Sequence, residues 1–310
     1  MNWTVFALNY AISLSYVAVL YVTSKGIEDF PARRDDPRVI MKRMKNVSIV
    51  CIINLLWVPM AYAVLSDQLT YKEAFLGIGL IPGYYRNDMW DINSFVIDII
   101  KVLALVALLY VGPLSDKILY YITNRRASPV EDMKNEVMNI WGIRNYIFAP
   151  ITEEIFYTSM LLNTYLVQKD GRLSLSTMLV QPSMFFSIAH IHHAYEATLV
   201  GNFSMSSIIL NTVFQMVYTT LFGAFTNFVY LKTGGNLWAC ILAHTFCNLL
   251  GFPDGSAVHE YFTVIRTPSS LRIQQLVSYW NKIYYILLLM GILFFKDNLF
   301  NLVSSPYELA

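Results

Sequence analysis

Apolar residues in this chain come in long blocks separated by polar stretches, and those blocks set the first expectation for the fold. Eight mostly apolar blocks lie at 3–23, 47–65, 95–115, 145–167, 177–192, 206–231, 236–252 and 281–300. A helix needs about 20 such residues to cross the hydrocarbon core of a bilayer. Inside lipid the backbone has no water to bond, so each crossing is expected to be helical. The predicted class is all-α: a polytopic membrane protein with about eight transmembrane helices. The fifth and seventh blocks are short or interrupted by polar residues, and hydropathy alone ranks them low. The first block lacks the basic n-region and cleavage site of a signal peptide and is expected to stay as the first span.

Composition supports this class. The chain is 56% hydrophobic and 14% charged, where a soluble domain usually carries about 25% charge. Lys and Arg are unevenly placed. The loop 24–46 holds Lys25, Arg33, Arg34, Arg38, Lys42, Arg43 and Lys45, and with 116–144 and 253–282 this set carries fifteen basic residues. The alternate set, 66–94, 168–176 and 232–235, carries five. The richer set is expected in the cytosol. On that topology the sequons at Asn46 and Asn202 face the cytosol, Asn2 starts the first span, and none is expected to be used. The segment 123–144 is expected to form an amphipathic interfacial helix around Met133, Val137, Ile140 and Trp141. With a net charge of +1 and no basic cluster interleaved with aromatics, nucleic acid is not an expected partner. Cys240 and Cys247 are about 10 Å apart along one expected helix, too far for a disulfide.

The informative residues are polar ones inside the apolar blocks: Glu153, His190, His244 and Asn248. A charge at the centre of a span costs roughly 2.5–3.5 kcal/mol on insertion scales, so such groups usually face the bundle interior and have a task there. Glu153 lies about 8 residues, near 12 Å, into the fourth span. His190 is near the cytosolic end of the fifth span. His244 and Asn248 lie about 8 and 4 residues below the exit of the seventh, on one helix face at i, i+4. All four are therefore expected in the cytosolic half at similar depth. Glu154 follows Glu153 and points about 100° away, so one of the two is expected to be structural, paired with Tyr157, Thr158 or Ser159. Phe186 shares the face of His190 and reads as core, while His192 and His193 lie just beyond it.

These residue types allow three chemistries. Glu153 as general base could act on a water oriented by His190, with His244 and Asn248 steadying an oxyanion. Two His and a Glu could instead hold zinc, although H-E-x-x-H is absent. Cys247, three residues after His244, could be a nucleophile, although a buried Cys is usually inert packing. The order of preference is water, zinc, cysteine.

Glu153-Glu154, followed by Phe186-Ser-Ile-Ala-His190 and by His244-Thr-Phe-Cys-Asn248, resembles the CAAX prenyl protease family. This is the Ras-converting type of endopeptidase, related to bacterial ABI-type membrane proteins. The stretches TEEIFYTSMLL, AHIHHAYE, YTTLFGAFT and TGGNLWACILAH resemble the fungal members, and the likeness runs over nearly the whole chain. The resemblance implies one integral-membrane protease domain over 1–310, with an ABI-type catalytic core at about 145–252. It implies removal of the C-terminal tripeptide from prenylated CAAX proteins, such as Ras and Rho-like GTPases and a fungal pheromone precursor. It also implies an endoplasmic reticulum membrane location, a site facing the cytosol, and no cofactor or metal. Glu153 and His190 would activate the water, and His244 and Asn248 would form the oxyanion pocket. Glu154, Tyr157, Phe186 and His193 would support the site or bind substrate. A catalytic cavity open to cytosol and lipid would admit both the peptide and the prenyl chain.

The sequence departs from the family at one position. Where the pattern E-E-x-x-x-R has Arg, this chain has Thr158, which can bond Glu154 but not neutralise it. Two rivals are set beside the protease. A transporter would be expected to show internal repeats, and none is visible. A non-proteolytic scaffold or lipid-binding member of the same superfamily could lose Glu153 or His190, and this chain keeps both.

Overall fold

The computed structural model describes residues 3–21, 34–66, 68–86, 88–124, 127–168, 174–253, 255–265 and 270–309. Asn2, Lys25 and Arg33 lie outside the described residues. The helices are α1 (Trp3–Val19), α2 (Pro37–Ser66), α3 (Tyr71–Leu76), α4 (Ile92–Leu109), α5 (Val111–Thr123), α6 (Pro129–Val137) and α7 (Ile140–Gly142). They continue as α8 (Ala149–Glu153), α9 (Leu161–Leu166), α10 (Leu175–Ala189), α11 (His192–Val200), α12 (Met205–Lys232), α13 (Leu237–Leu250), α14 (Ala257–Glu260) and α15 (Leu271–Val303). A two-stranded antiparallel hairpin, β1 (Tyr84–Tyr85) with β2 (Met89–Trp90), interrupts the all-α pattern within one loop.

Every apolar block contains a helix. Four helices, α2, α4, α12 and α15, are long and apolar enough to cross a membrane, and α1 and α13 are shorter apolar helices. On α12 and α15 large side chains such as Leu210, Leu221, Leu276 and Leu289 are exposed. That outward apolar surface fits a lipid surround, and the chain is a multi-pass membrane protein. Polar side chains bond between helices inside the bundle. Thr164 Oγ1 donates to Asn9 Oδ1 at 2.7 Å, and Asn227 Nδ2 donates to the Leu179 carbonyl at 3.1 Å. Such bonds hold helices together where hydrophobicity cannot.

The structure corrects the expected boundaries most at three places, one of them α15, which starts at Leu271, ten residues before its apolar block. Helix α2 begins ten residues before its apolar block, because Asp36 accepts from the Arg38 N–H at 2.8 Å and Pro37 suits the first helical position. The block 95–115 is not one helix but α4 and α5, which meet at Tyr110. Pro113 cannot donate to the Leu109 carbonyl four residues earlier, so the helix is not continued through that point. The segment expected to be one interfacial helix is split: α6 begins at the Ser128-Pro129 cap, exposes Val130 and Met133 and ends at Val137, while Ile140 and Trp141 belong to α7, capped by Asn139; Arg125 and Arg126 lie outside the described residues.

The same Leu109 carbonyl marks a close crossing of α4 and α15. A Cβ added to Gly291 would lie 2.4 Å from the Leu109 oxygen and 3.1 Å from that of Leu108. Glycine is therefore required there by close approach. Gly291→Val is expected to lower stability by about 1–3 kcal/mol, seen as a lower unfolding midpoint in detergent. A midpoint equal to wild type would contradict this crossing.

Candidate active site

The site is built on the helical run 140–166, which is not uniform. It passes from α7 through a π-helical segment, Ile143–Phe148, into α8, then through a second, Glu154–Met160, into α9. Such widened turns are rare and leave backbone groups for other partners. Pro150 adds to this, since it has no N–H for the carbonyls four and five residues earlier. Those carbonyls, of Tyr146 and Asn145, accept from α13 instead. Thr245 Oγ1 reaches Tyr146 at 2.9 Å and Asn248 Nδ2 reaches Asn145 at 3.0 Å.

One turn further along, the two glutamates diverge. Glu154 is buried, and its Oε1 lies 2.7 Å from His244 Nδ1. Its other oxygen accepts from Thr158 Oγ1 at 2.6 Å, and Thr158 lies 2.9 Å from the Thr226 hydroxyl of α12. The partner of Glu154 is thus a histidine with a threonine in support, in place of an arginine. Glu153 points into open space, with its Oε2 3.8 Å from His244 Nε2. Because Nδ1 donates to Glu154, His244 donates from Nε2 only as imidazolium.

His190 stands at the C-terminal end of α10. Its Nδ1 is 2.8 Å from the Phe186 carbonyl, which can only accept. That bond fixes the proton on Nδ1 and leaves Nε2 as an acceptor for a water. The Phe186 ring packs 4.7 Å from the His190 ring and 6.4 Å from that of His244, and so spaces the two histidines. The Tyr157 hydroxyl donates to the Ser13 carbonyl of α1 at 3.3 Å. Its ring is left to shape a cavity wall.

Two cavities share this wall. The larger, about 750 Å³, is lined by Glu153, His190, His244 and Asn248 together with aromatic and aliphatic groups including Tyr110, Tyr218, Leu221, Phe222 and Phe295. All four residues singled out in the sequence therefore meet at one cavity. The smaller, about 190 Å³, is reached between α1, α2 and α10 and is also lined by Glu153, His190 and His193. Sequence reasoning missed its arginines, Arg34, Arg43 and Arg144, which it counted only as loop charge. It also missed Asn145, whose carbonyl holds Asn248.

His193 faces this arginine group. Its Nδ1 lies 3.2 Å from Arg34 Nη1 and 3.3 Å from Glu196 Oε2, and Arg43 reaches Glu196 at 2.7 Å. Burial pushes the Glu196 carboxyl up, but the His193 bond and the Arg43 charge outweigh it and hold the group at about 2. Among the described residues, His192, His193 and Glu196 are the group of potential metal ligands whose donor atoms lie within 4.8 Å of one another. Two guanidiniums already engage that group, and a divalent cation would have to displace them. Cys247 also lines the larger cavity, but His244 Nδ1 is already bonded to Glu154 at 2.7 Å.

Thr158→Val would leave one Glu154 oxygen buried without its donor. It is expected to cost about 1–3 kcal/mol, read as a lower unfolding midpoint, with Thr158→Ser close to wild type. Equal midpoints for all three proteins would show that this contact is not holding Glu154.

Comparison with known proteins agrees with the geometry. Residues 136–250, which contain every residue of the larger site's polar wall, match the family described as type II CAAX prenyl endopeptidase Rce1-like. The chain is 46% identical to CAAX prenyl protease 2 of Saccharomyces cerevisiae over 99% of its length and 98% of that protein. It is 28% identical to CAAX prenyl protease 2 of Homo sapiens over 81% of its length and 71% of that protein. The corresponding Arabidopsis thaliana protein is 26% identical over 78% of each chain. No solved structure matches. With a full-length relative at this identity and a polar site assembled from the matching segment, the chain belongs to the CAAX prenyl endopeptidases, a family of membrane peptidases.

Proposed function

We propose that this chain removes the C-terminal tripeptide from prenylated CAAX proteins, with a water held between Glu153 and His190 as the nucleophile. The observation that carries the reading is the convergence of Glu153, His190, His244 and Asn248 on one largely apolar cavity. His190 Nε2 accepts a hydrogen bond from one O–H of the water, and Glu153 takes the other proton as the oxygen attacks the carbonyl of the prenylated cysteine. The oxyanion that forms meets the Asn248 amide and the Nε2–H of a doubly protonated His244. Asn248 donates one N–H to Asn145 and keeps its second for this task. As the C–N bond breaks, Glu153 returns its proton to the leaving amine. The new carboxyl group then loses its remaining proton to the released amine, so the products are a prenylcysteine carboxylate and a tripeptide with an ammonium N-terminus, and no proton is left over on the enzyme.

The prenyl chain fits the larger cavity, whose wall is mainly Tyr, Phe, Leu and Val, with Gln215 and Thr219 as further polar groups. We read the chain as one domain over 1–310 with its catalytic core at about 145–252, crossing the endoplasmic reticulum membrane about eight times. The site faces the cytosol and the cavity opens to cytosol and lipid. The basic segments support that orientation, since Arg34, Arg43 and Arg144 line a cavity together with Glu153 and His190. Prenylated Ras and Rho-like GTPases and, in fungi, a pheromone precursor are the substrates this reading names, with membrane lipid as surround and no metal or other cofactor.

Cleavage of a farnesylated CAAX peptide by the purified protein tests it. Wild type is expected to cut with or without a strong zinc chelator. Glu153→Gln is expected to slow turnover about 10²- to 10⁴-fold, and Asn248→Ala about 10²- to 10³-fold with little change in KM. Near wild-type turnover by Glu153→Gln would remove it as the base, and loss of activity with chelator would return the zinc mechanism. No cleavage by wild type would favour a scaffold.

A further inference from the structure

The smaller cavity is not used by the chemistry described so far, yet it touches the same two residues, Glu153 and His190. Its polar character is unlike that of its neighbour. Three guanidiniums line it: Arg34 from the segment before α2, Arg43 from α2 and Arg144 from the first π-helical segment. Two carboxylates lie beside them. Glu196 takes Arg43 at 2.7 Å and is 3.8 Å from Arg34; Asp35 takes Arg144 at 2.9 Å and is 3.7 Å from Arg34 Nε. The cavity wall itself holds these three guanidiniums and one carboxylate, that of Glu153. Glu196 is buried against Arg43, whereas the Asp35 that Arg34 and Arg144 share is 61% exposed; Arg144 also donates from Nε to Asn145 Oδ1 at 2.8 Å and from Nη1 to the Arg34 carbonyl at 3.3 Å.

A substrate of the proposed reaction has two unlike ends around its scissile bond. The lipid on the cysteine is apolar, and the three residues beyond it finish in a free α-carboxylate. Two cavities meeting at Glu153 and His190 match that asymmetry, one aromatic and one cationic. A guanidinium binds a carboxylate through paired N–H groups, with more geometric definition than a point charge.

We propose that the arginine-lined cavity receives the α-carboxylate of the three residues to be removed, with Arg34 and Arg144 as its binding groups. Arg43 is a positioning residue that holds Glu196 behind them. This rests on the peptidase reading above. Three extended residues reach about 10 Å, so a fixed carboxylate presents the bond three residues back to Glu153. The arginines act as a ruler, and the product length follows from where the chain end is caught. An internal or C-terminally blocked peptide has no group for this cavity.

The test compares matched farnesylated CAAX peptides ending in a carboxylate or a carboxamide, using the full-length protein in detergent or vesicles. Wild type is expected to prefer the acid by about 10- to 100-fold in kcat/KM, mostly through KM. Arg34→Gln and Arg144→Gln should each lower cleavage of the acid more than cleavage of the amide, and together bring the ratio near unity. Unfolding midpoints near that of wild type show that each variant is folded. Arg38→Gln, whose side chain is exposed and pairs with Asp36 outside the cavity, should keep the full preference. Equal cleavage of acid and amide by wild type would overturn the inference and leave the peptidase reading standing. An unchanged preference in the double variant would overturn it too. Failure of wild type to cut either peptide would instead overturn the peptidase reading beneath it.

Discussion

A single buried hydrogen bond, between Glu154 and His244 at 2.7 Å, fixes the geometry on which the site depends. It joins the 140–166 run to α13 and sets the orientation of the imidazole that both glutamates face. Removing one partner of a buried, charge-assisted pair costs about 3–5 kcal/mol, because the other is left uncompensated. The same contact divides two adjacent carboxylates into different roles. Glu154 is held by His244 and Thr158, while Glu153, about 100° around the helix, is turned to the cavities. Two further bonds, from Thr245 and Asn248 to carbonyls that Pro150 cannot serve, fasten the helices on the other side of that contact.

Much of this was legible in the sequence. Apolar blocks located every main helix, and the cost of polar groups in lipid singled out the four residues that meet at the larger cavity. The expectation that one of Glu153 and Glu154 pairs with a nearby hydroxyl holds for Glu154 and Thr158. Less was legible where long-range contact decides. Nothing local in the sequence makes His244 the main partner of Glu154, since the two are 90 residues apart. The break at Tyr110 had a local signal in Pro113, which block-length reasoning overrode. The Asp36-Pro37 start of α2 also had one, but the polar turns above its apolar block hid it. Arg34, Arg43 and Arg144 were counted as orienting charges because their convergence depends on the packing of α2, α10 and the 140–166 run.

The division of space is the functional consequence of this packing. Phe186 separates the two histidines, and Glu153 with His190 forms the wall between an aromatic cavity and a cationic one. A lipidated peptide with a charged end must place unlike groups on either side of one bond. The fold offers unlike environments on either side of one carboxylate. His244, donating to Glu154 from Nδ1, is available to an oxyanion through Nε2 when both nitrogens carry protons.

The central claim is that water, activated at Glu153, attacks the peptide bond directly. Rapid-quench turnover of a farnesylated CAAX peptide, followed by intact mass of the protein, tests it most directly. Direct attack predicts unmodified protein at every time point during the first turnover. A transient species heavier by the prenylated acyl fragment, and carried on Cys247, would contradict it.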